Sequence, residues 1–220
     1  MALLARARRT RWVNVAVVNL RFLIAFAFVP AAMKKVLGQP FTDPTNHGAF
    51  HDFLHAFRAT GWFYQFVGVM QLLAATLLMT QRFATLGAAL ALPILSAIMV
   101  FCWSTGVVPT ATVATLMWLG TVGLLAWDVD RWRALFVPDD RTCEVRVEPA
   151  SAPIDMGLWT TCGIAILVVY FGSALAYGGV YRPRGLELDE PAFYVLPTIL
   201  LLPFITWIID RRRSRARLRS

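Results

Sequence analysis

Residues 62–127 read WFYQFVGVMQLLAATLLMT (62–80), QRF (81–83), ATLGAALALPILSAIMVFCWS (84–104), TGVVP (105–109) and TATVATLMWLGTVGLLAW (110–127), and Arg82 is the only charged side chain among them. A helix needs about 20 mostly apolar residues to cross the hydrocarbon core of a bilayer. The stretch therefore predicts three successive spans, Trp62–Thr80, Ala84–Ser104 and Thr110–Trp127. Working outward, Val13–Val36 predicts a span before them, and Leu158–Tyr177 and Phe193–Ile209 predict two after them. The fold class that follows is all-α, a polytopic membrane helical bundle of six spans. Pro93, Pro197 and Pro203 fall inside spans, where neighbouring groups can re-satisfy the freed carbonyls.

Composition agrees with this reading and narrows the function classes. Of the 220 residues, 58% are apolar and 15% charged, against roughly 45–50% and about 25% in soluble domains. That excludes a disordered chain, a collagen-like chain and a disulfide scaffold. The net charge of +8 does not predict a nucleic-acid partner, because the arginines cluster at the chain ends and the middle is too apolar for a basic groove. With the N-terminus inside, the inner segments hold 15 Lys and Arg and the outer ones 5. This asymmetry predicts the cytoplasmic (inner) membrane with both termini cytoplasmic. The arginines after Ile209 then anchor the chain on anionic lipid. A cleavable signal peptide fits poorly, since Asn14, Asn19 and Arg21 interrupt the apolar run and Lys34-Lys35 follows it.

Phe50, Phe53, Leu54 and Phe57 recur at helical spacing, so residues 50–60 predict an amphipathic helix on the outer interface, leading into the aromatic Trp62-Phe63-Tyr64. The inner segment from Asp128 to Gly157 is too short for an independent domain. Cys143–Val147 alternates as a short strand would. Gly178–Pro191 reads as a polar outer loop.

Arg21 is the first candidate for chemistry, because a charge at membrane depth faces a partner or a cavity. Helical phase puts Asn14, Arg21, Phe28 and Lys35 on one face. Counting inward along span 2 sets Gln71 at a depth similar to that of Arg21. Arg21, Gln71, Asn14 and Lys35 therefore outline an expected polar pocket for a quinone carbonyl or a lipid-like anion. A snorkelling charge or a structural Arg–Gln pair is the plainer alternative. His47, His51 and His55 recur every four residues and would share a face if the segment is helical. A pair of them could hold Zn²⁺ or Cu²⁺, with Asp43 and Asp52 near. One ion could not take all three, because His47 and His55 would stand about 12 Å apart along the axis. Cys102, Cys143 and Cys162 contain no Cys-x-x-Cys, which argues against a thiol–disulfide enzyme. Gly87, Ala88, Ala91, Gly120 and Gly123 predict close helix approach. Trp12, Trp62, Trp103, Trp118, Trp127, Trp159 and Trp207 read as an aromatic belt.

Several of these features together resemble the DoxX-like family of small membrane proteins. They are Arg21 early in span 1, Lys34 and Lys35 near its outer end, the amphipathic helix before span 2, and Val67-Gly68-Val69-Met70-Gln71-Leu72-Leu73. The Gln81-Arg82 turn and Trp127-Asp128-Val129-Asp130 complete the set. The resemblance covers about residues 14–137 and implies a four-helix membrane core. Residues 1–137 would then be that core and 138–157 a cytoplasmic connecting loop. Residues 158–209 would be two additional transmembrane helices, and 210–220 a basic cytoplasmic tail. Some relatives are associated with quinone-linked sulfur oxidation or membrane redox complexes. The resemblance thus implies a redox-accessory subunit with a membrane or periplasmic redox partner, and a quinone as cofactor. Relatives often carry Glu in span 2 where this chain has Gln71, which removes the ionisable group a proton-coupled role would use. Two other readings stay open, a small-solute or lipid transporter and a non-catalytic scaffold or assembly factor. Homo-oligomerisation is compatible with all three.

Overall fold

The computed structural model describes residues 2–130, 154–177 and 194–217. Among them are eight helices and no strand: α1 (Ala2–Arg9), α2 (Arg11–Val36), α3 (Ala49–Ala59), α4 (Trp62–Met79), α5 (Ala84–Ser104), α6 (Val108–Trp127), α7 (Met156–Ala176) and α8 (Val195–Arg217). The expected strand at Cys143–Val147, the outer loop Gly178–Pro191 and most of the loop 138–157 lie outside the described residues. Helices α2, α4, α5, α6 and α7 are long and apolar enough to cross a membrane, and their bounds fall within two residues of the expected spans. The amphipathic segment is helical as expected, as α3.

The sixth expected span is helical from Val195 onward, with Phe193 outside the described residues, but α8 is not among those five. Its apolar run ends at Ile209, and the helix continues through Asp210 and the arginine-rich tail to Arg217. Arginine is a good helix former, so charge ends the apolar face without ending the helix. Pro30, Pro93 and Pro203 sit inside α2, α5 and α8, which run on through them.

Four helices close a ring: α2 packs on α4, α4 on α5, α5 on α6, and α6 returns to α2. Helices α7 and α8 form a hairpin beside the ring, with α7 against α4. The core is mostly apolar, including Phe22, Ile24, Phe28, Leu78, Leu95 and Trp159, and the buried polar residues among those described are Arg21, Lys35, Gln71, Gln81, Thr121, Asp128, Thr206 and Asp210. Gly61 (φ +59°) and Gly106 (φ +71°) turn the chain between α3 and α4 and between α5 and α6, in a backbone region that side chains disfavour. Asp155 caps α7 by accepting from the Leu158 N–H at 3.2 Å.

Small residues set the closest approaches. A β-carbon on Gly68 would stand 2.7 Å from Lys35 Cβ and 2.9 Å from the Ala32 carbonyl oxygen. One on Gly87 would stand 2.8 Å from the Leu78 nitrogen, and one on Gly163 would collide with the Met79 carbonyl. A β-carbon on Gly120 would meet Leu20 and Ile24, whereas one on Gly123 would meet nothing within 4 Å among the described residues. Trp159 departs from the aromatic belt, because it is fully buried against Phe22 at a ring separation of 6.1 Å. Trp62 is 87% exposed.

Candidate functional site: a buried arginine–aspartate cluster

Arg21 lies within the bundle at 3% exposure. One guanidinium nitrogen donates to Asp128 Oδ2 at 2.8 Å and the other to Gln81 Oε1 at 3.1 Å. Thr85 Oγ1 donates to the same Asp128 oxygen at 2.9 Å. The four side chains come from α2, the α4–α5 turn, the first turn of α5 and the residue after α6. A buried charge demands a partner and hydrogen bonds, and this cluster supplies both across the ring. Gln81 is held at φ +56°, the only non-glycine positive φ among the described residues. Its amide nitrogen donates to the Leu78 carbonyl at 3.2 Å, closing the end of α4 while its oxygen meets Arg21. Left-handed backbone costs about 1–2 kcal/mol outside glycine, so the surrounding contacts over-determine this turn.

Helix α7 covers this end of the ring. Thr160 Oγ1 donates to the Thr80 carbonyl at 2.8 Å, Gly163 seats on Met79, and Trp159 covers Phe22. Three more ion pairs surround the cluster. Arg11 meets the fully buried Asp210 at 2.8 Å, and Arg213 meets Asp155 at 3.3 Å. Arg8 meets Asp130 and the Trp127 carbonyl. Asp210 also accepts from the Asp155 N–H at 2.9 Å. These contacts bring the start of α2, the start of α7 and the charged part of α8 to one end of the bundle.

The expected four-residue pocket does not assemble. Arg21, Phe28 and Lys35 do share the buried face of α2, but their partners differ. Gln71 precedes Gln81, the glutamine that Arg21 actually meets, by ten residues, or about 15 Å of helix. The expected depth match failed because α2 extends beyond the ends of α4 and α6, so Arg21 lies level with those ends. Gln71 is buried beside the α2–α4 contact, and its Oε1 has no hydrogen-bond partner among the described residues. Lys35 is buried near the α3 end. It donates to the Ala31 carbonyl at 3.3 Å and lies 4.6 Å from the Phe41 ring centroid. Asn14 instead ties α1 to α2, donating to the Arg8 and Thr10 carbonyls at 2.7 and 2.9 Å.

The histidine stripe is also broken. Helix α3 begins at Ala49, so His47 precedes it. His47 stands 3.7 Å from Asp52, His51 Nδ1 is 2.6 Å from Thr42 Oγ1, and His55 Nε2 is 3.3 Å from the Asn46 carbonyl. Among the described residues no three His, Cys, Asp or Glu side chains converge on a metal position. Cys102 and Cys162 are buried free thiols in α5 and α7, and Cys143 lies outside the described residues.

Gln81, Thr85 and Asp128 are the site residues that sequence reasoning missed. The usable signal was Asp128, a carboxylate directly after an apolar span on the side where span 1 begins. No family model, curated protein or solved structure matches the chain.

Proposed function

We propose that the protein is a non-catalytic accessory subunit of a membrane complex, a bundle whose rigidity is its contribution. The observation that carries this reading is the Arg21–Asp128–Gln81–Thr85 cluster, whose charged groups are met by one another across three helices and a turn. Such a network fixes helix positions. The proposed setting is the cytoplasmic membrane with both termini cytoplasmic. The 15-to-5 distribution of Lys and Arg supports that orientation, as does the contact between Arg11 and Asp210, which gathers the N-terminal and C-terminal helices at one end.

The DoxX-like resemblance would make the complex a redox one and add a quinone. Gln71 favours this second form, since its buried Oε1 lacks a donor. Lys35 adds to it, being buried with no carboxylate in ion-pair range among the described residues.

Native mass spectrometry of the freshly solubilised protein tests both forms. A second polypeptide at fixed stoichiometry, without a small molecule, supports the accessory reading. A retained quinone that is lost in Gln71→Leu supports the redox form. A chain that carries neither, from a preparation that keeps other complexes intact, sinks both.

A further inference from the structure

At the end of the bundle opposite the Arg21 cluster, an open cleft of about 360 Å³ lies between α3, the segment after α2 and the start of α4. Pockets for small ligands begin at about 300 Å³. Gly38, His55, Arg58, Gly61, Tyr64 and Gln65 line it, and no lining residue is acidic. Two hydrogen bonds build its wall: Tyr64 donates to the Gln39 carbonyl at 2.9 Å, and Arg58 Nε donates to the Gly38 carbonyl at 2.9 Å. The second bond fixes the guanidinium through its inner nitrogen, and no carboxylate among the described residues pairs with it. Asp43, which interacts with the lining residue His55, is engaged by the Thr45 N–H and hydroxyl at 2.9 and 2.7 Å. Around the cleft, Trp62, Phe63 and Phe66 stand exposed on the first turns of α4. Aromatic side chains in that position mark the headgroup level of a bilayer.

We infer that this cleft binds a phosphate-bearing anion through the Arg58 guanidinium. A planar fork presents two parallel donors that match phosphate oxygens, and an apolar helix beside it would accommodate acyl chains. The same chemistry suits a free phosphate or the headgroup of an anionic phospholipid, and neither follows from the accessory-subunit reading.

The test uses the full chain in detergent and titration calorimetry with two probes, dioctanoylphosphatidylglycerol and inorganic phosphate. Binding of the lipid alone assigns a headgroup site, and binding of both assigns a general phosphate site. In either case Arg58→Gln weakens binding about tenfold or more, as loss of a charge-assisted hydrogen bond does. Arg82→Gln, at the other end of the bundle, leaves it unchanged. Arg58→Lys keeps the charge without the fork and weakens binding less. This variant decides the matter if circular dichroism shows that Arg58→Gln does not fold. The inference is overturned if neither probe binds, or if the Arg58 variants that fold bind as tightly as the parent.

Discussion

Removing Arg21 should reveal what the buried cluster does. In Arg21→Met the Asp128 carboxylate, with its side chain only 9% exposed, keeps Thr85 as a donor but loses the Arg21 guanidinium. Breaking one side of a buried pair costs about 3–5 kcal/mol, because the remaining buried charge loses its attraction to the deleted one. At about 1.4 kcal/mol per tenfold, this raises the unfolding equilibrium constant by roughly two to three and a half orders of magnitude. Asp128→Leu should cost a similar amount by removing the carboxylate from the Arg21 guanidinium while leaving Gln81 in place. The double variant Arg21→Met/Asp128→Leu removes both charges, and replacing a buried pair with apolar groups is often near neutral. The cycle therefore predicts a coupling energy of several kcal/mol, measured by reversible denaturation in mixed micelles. Strict additivity, within about 0.5 kcal/mol, would refute the pair. Unchanged stability in Arg21→Met together with loss of a bound small molecule would refute the structural role and restore a ligand pocket.

Gln81→Ala should destabilise more than Gln81→Gly, by about 1 kcal/mol, because both lose the Arg21 contact and only glycine relieves the positive φ; equal losses would contradict the left-handed turn. Gly163→Leu should displace α7 from Met79 and lower the melting temperature, with tryptophan fluorescence reporting exposure of Trp159, and an unchanged spectrum would count against this packing. Asp43 should titrate below its ordinary 3.8, because two hydrogen bonds from Thr45 favour the carboxylate. Its contribution is present above that value and fades as pH falls through the lowered pKa. Carboxyl-carbon NMR should follow this, with Thr45→Val returning the midpoint upward.

The apolar helices were legible because the cost of unsatisfied backbone in lipid leaves helix as nearly the only spanning option, and run length then fixes the bounds. The length of α8 was not legible, because apolarity ends at Ile209 while helix propensity does not. Arg213 meeting Asp155, and Ser214 donating to the Asp210 carbonyl at 2.8 Å, support the extension. Arg21 stood out as a charge within an apolar run, and its buried face was correctly phased with Phe28 and Lys35. Its partner was not legible from a depth count, because that count assumes helices of equal overhang. A stronger chemical rule was available: a buried guanidinium selects a carboxylate over an amide when both are within reach, and Asp128 was the carboxylate at that end. The histidine periodicity misled for a local reason, since Gly48 at φ +113° starts the helix after His47.

The two C-terminal helices complete the bundle rather than append to it. A ring of α2, α4, α5 and α6 alone would leave three needs unmet at the Arg21 end. The last carbonyls of α4 have no partner within their own helix, and Thr160 donates to that of Thr80. Arg11 needs an acid, and the fully buried Asp210 provides it. Phe22, on the buried face beside Arg21, needs an apolar cover, and Trp159 provides it. Each need is met by a different chemical device: a hydroxyl, a carboxylate and an indole. All three converge on the end where Gln81 is held in a strained turn. The strain, the buried charges and the covering helices belong to one arrangement, and loosening the α7–α8 hairpin would admit water to Arg21 and Asp128 together.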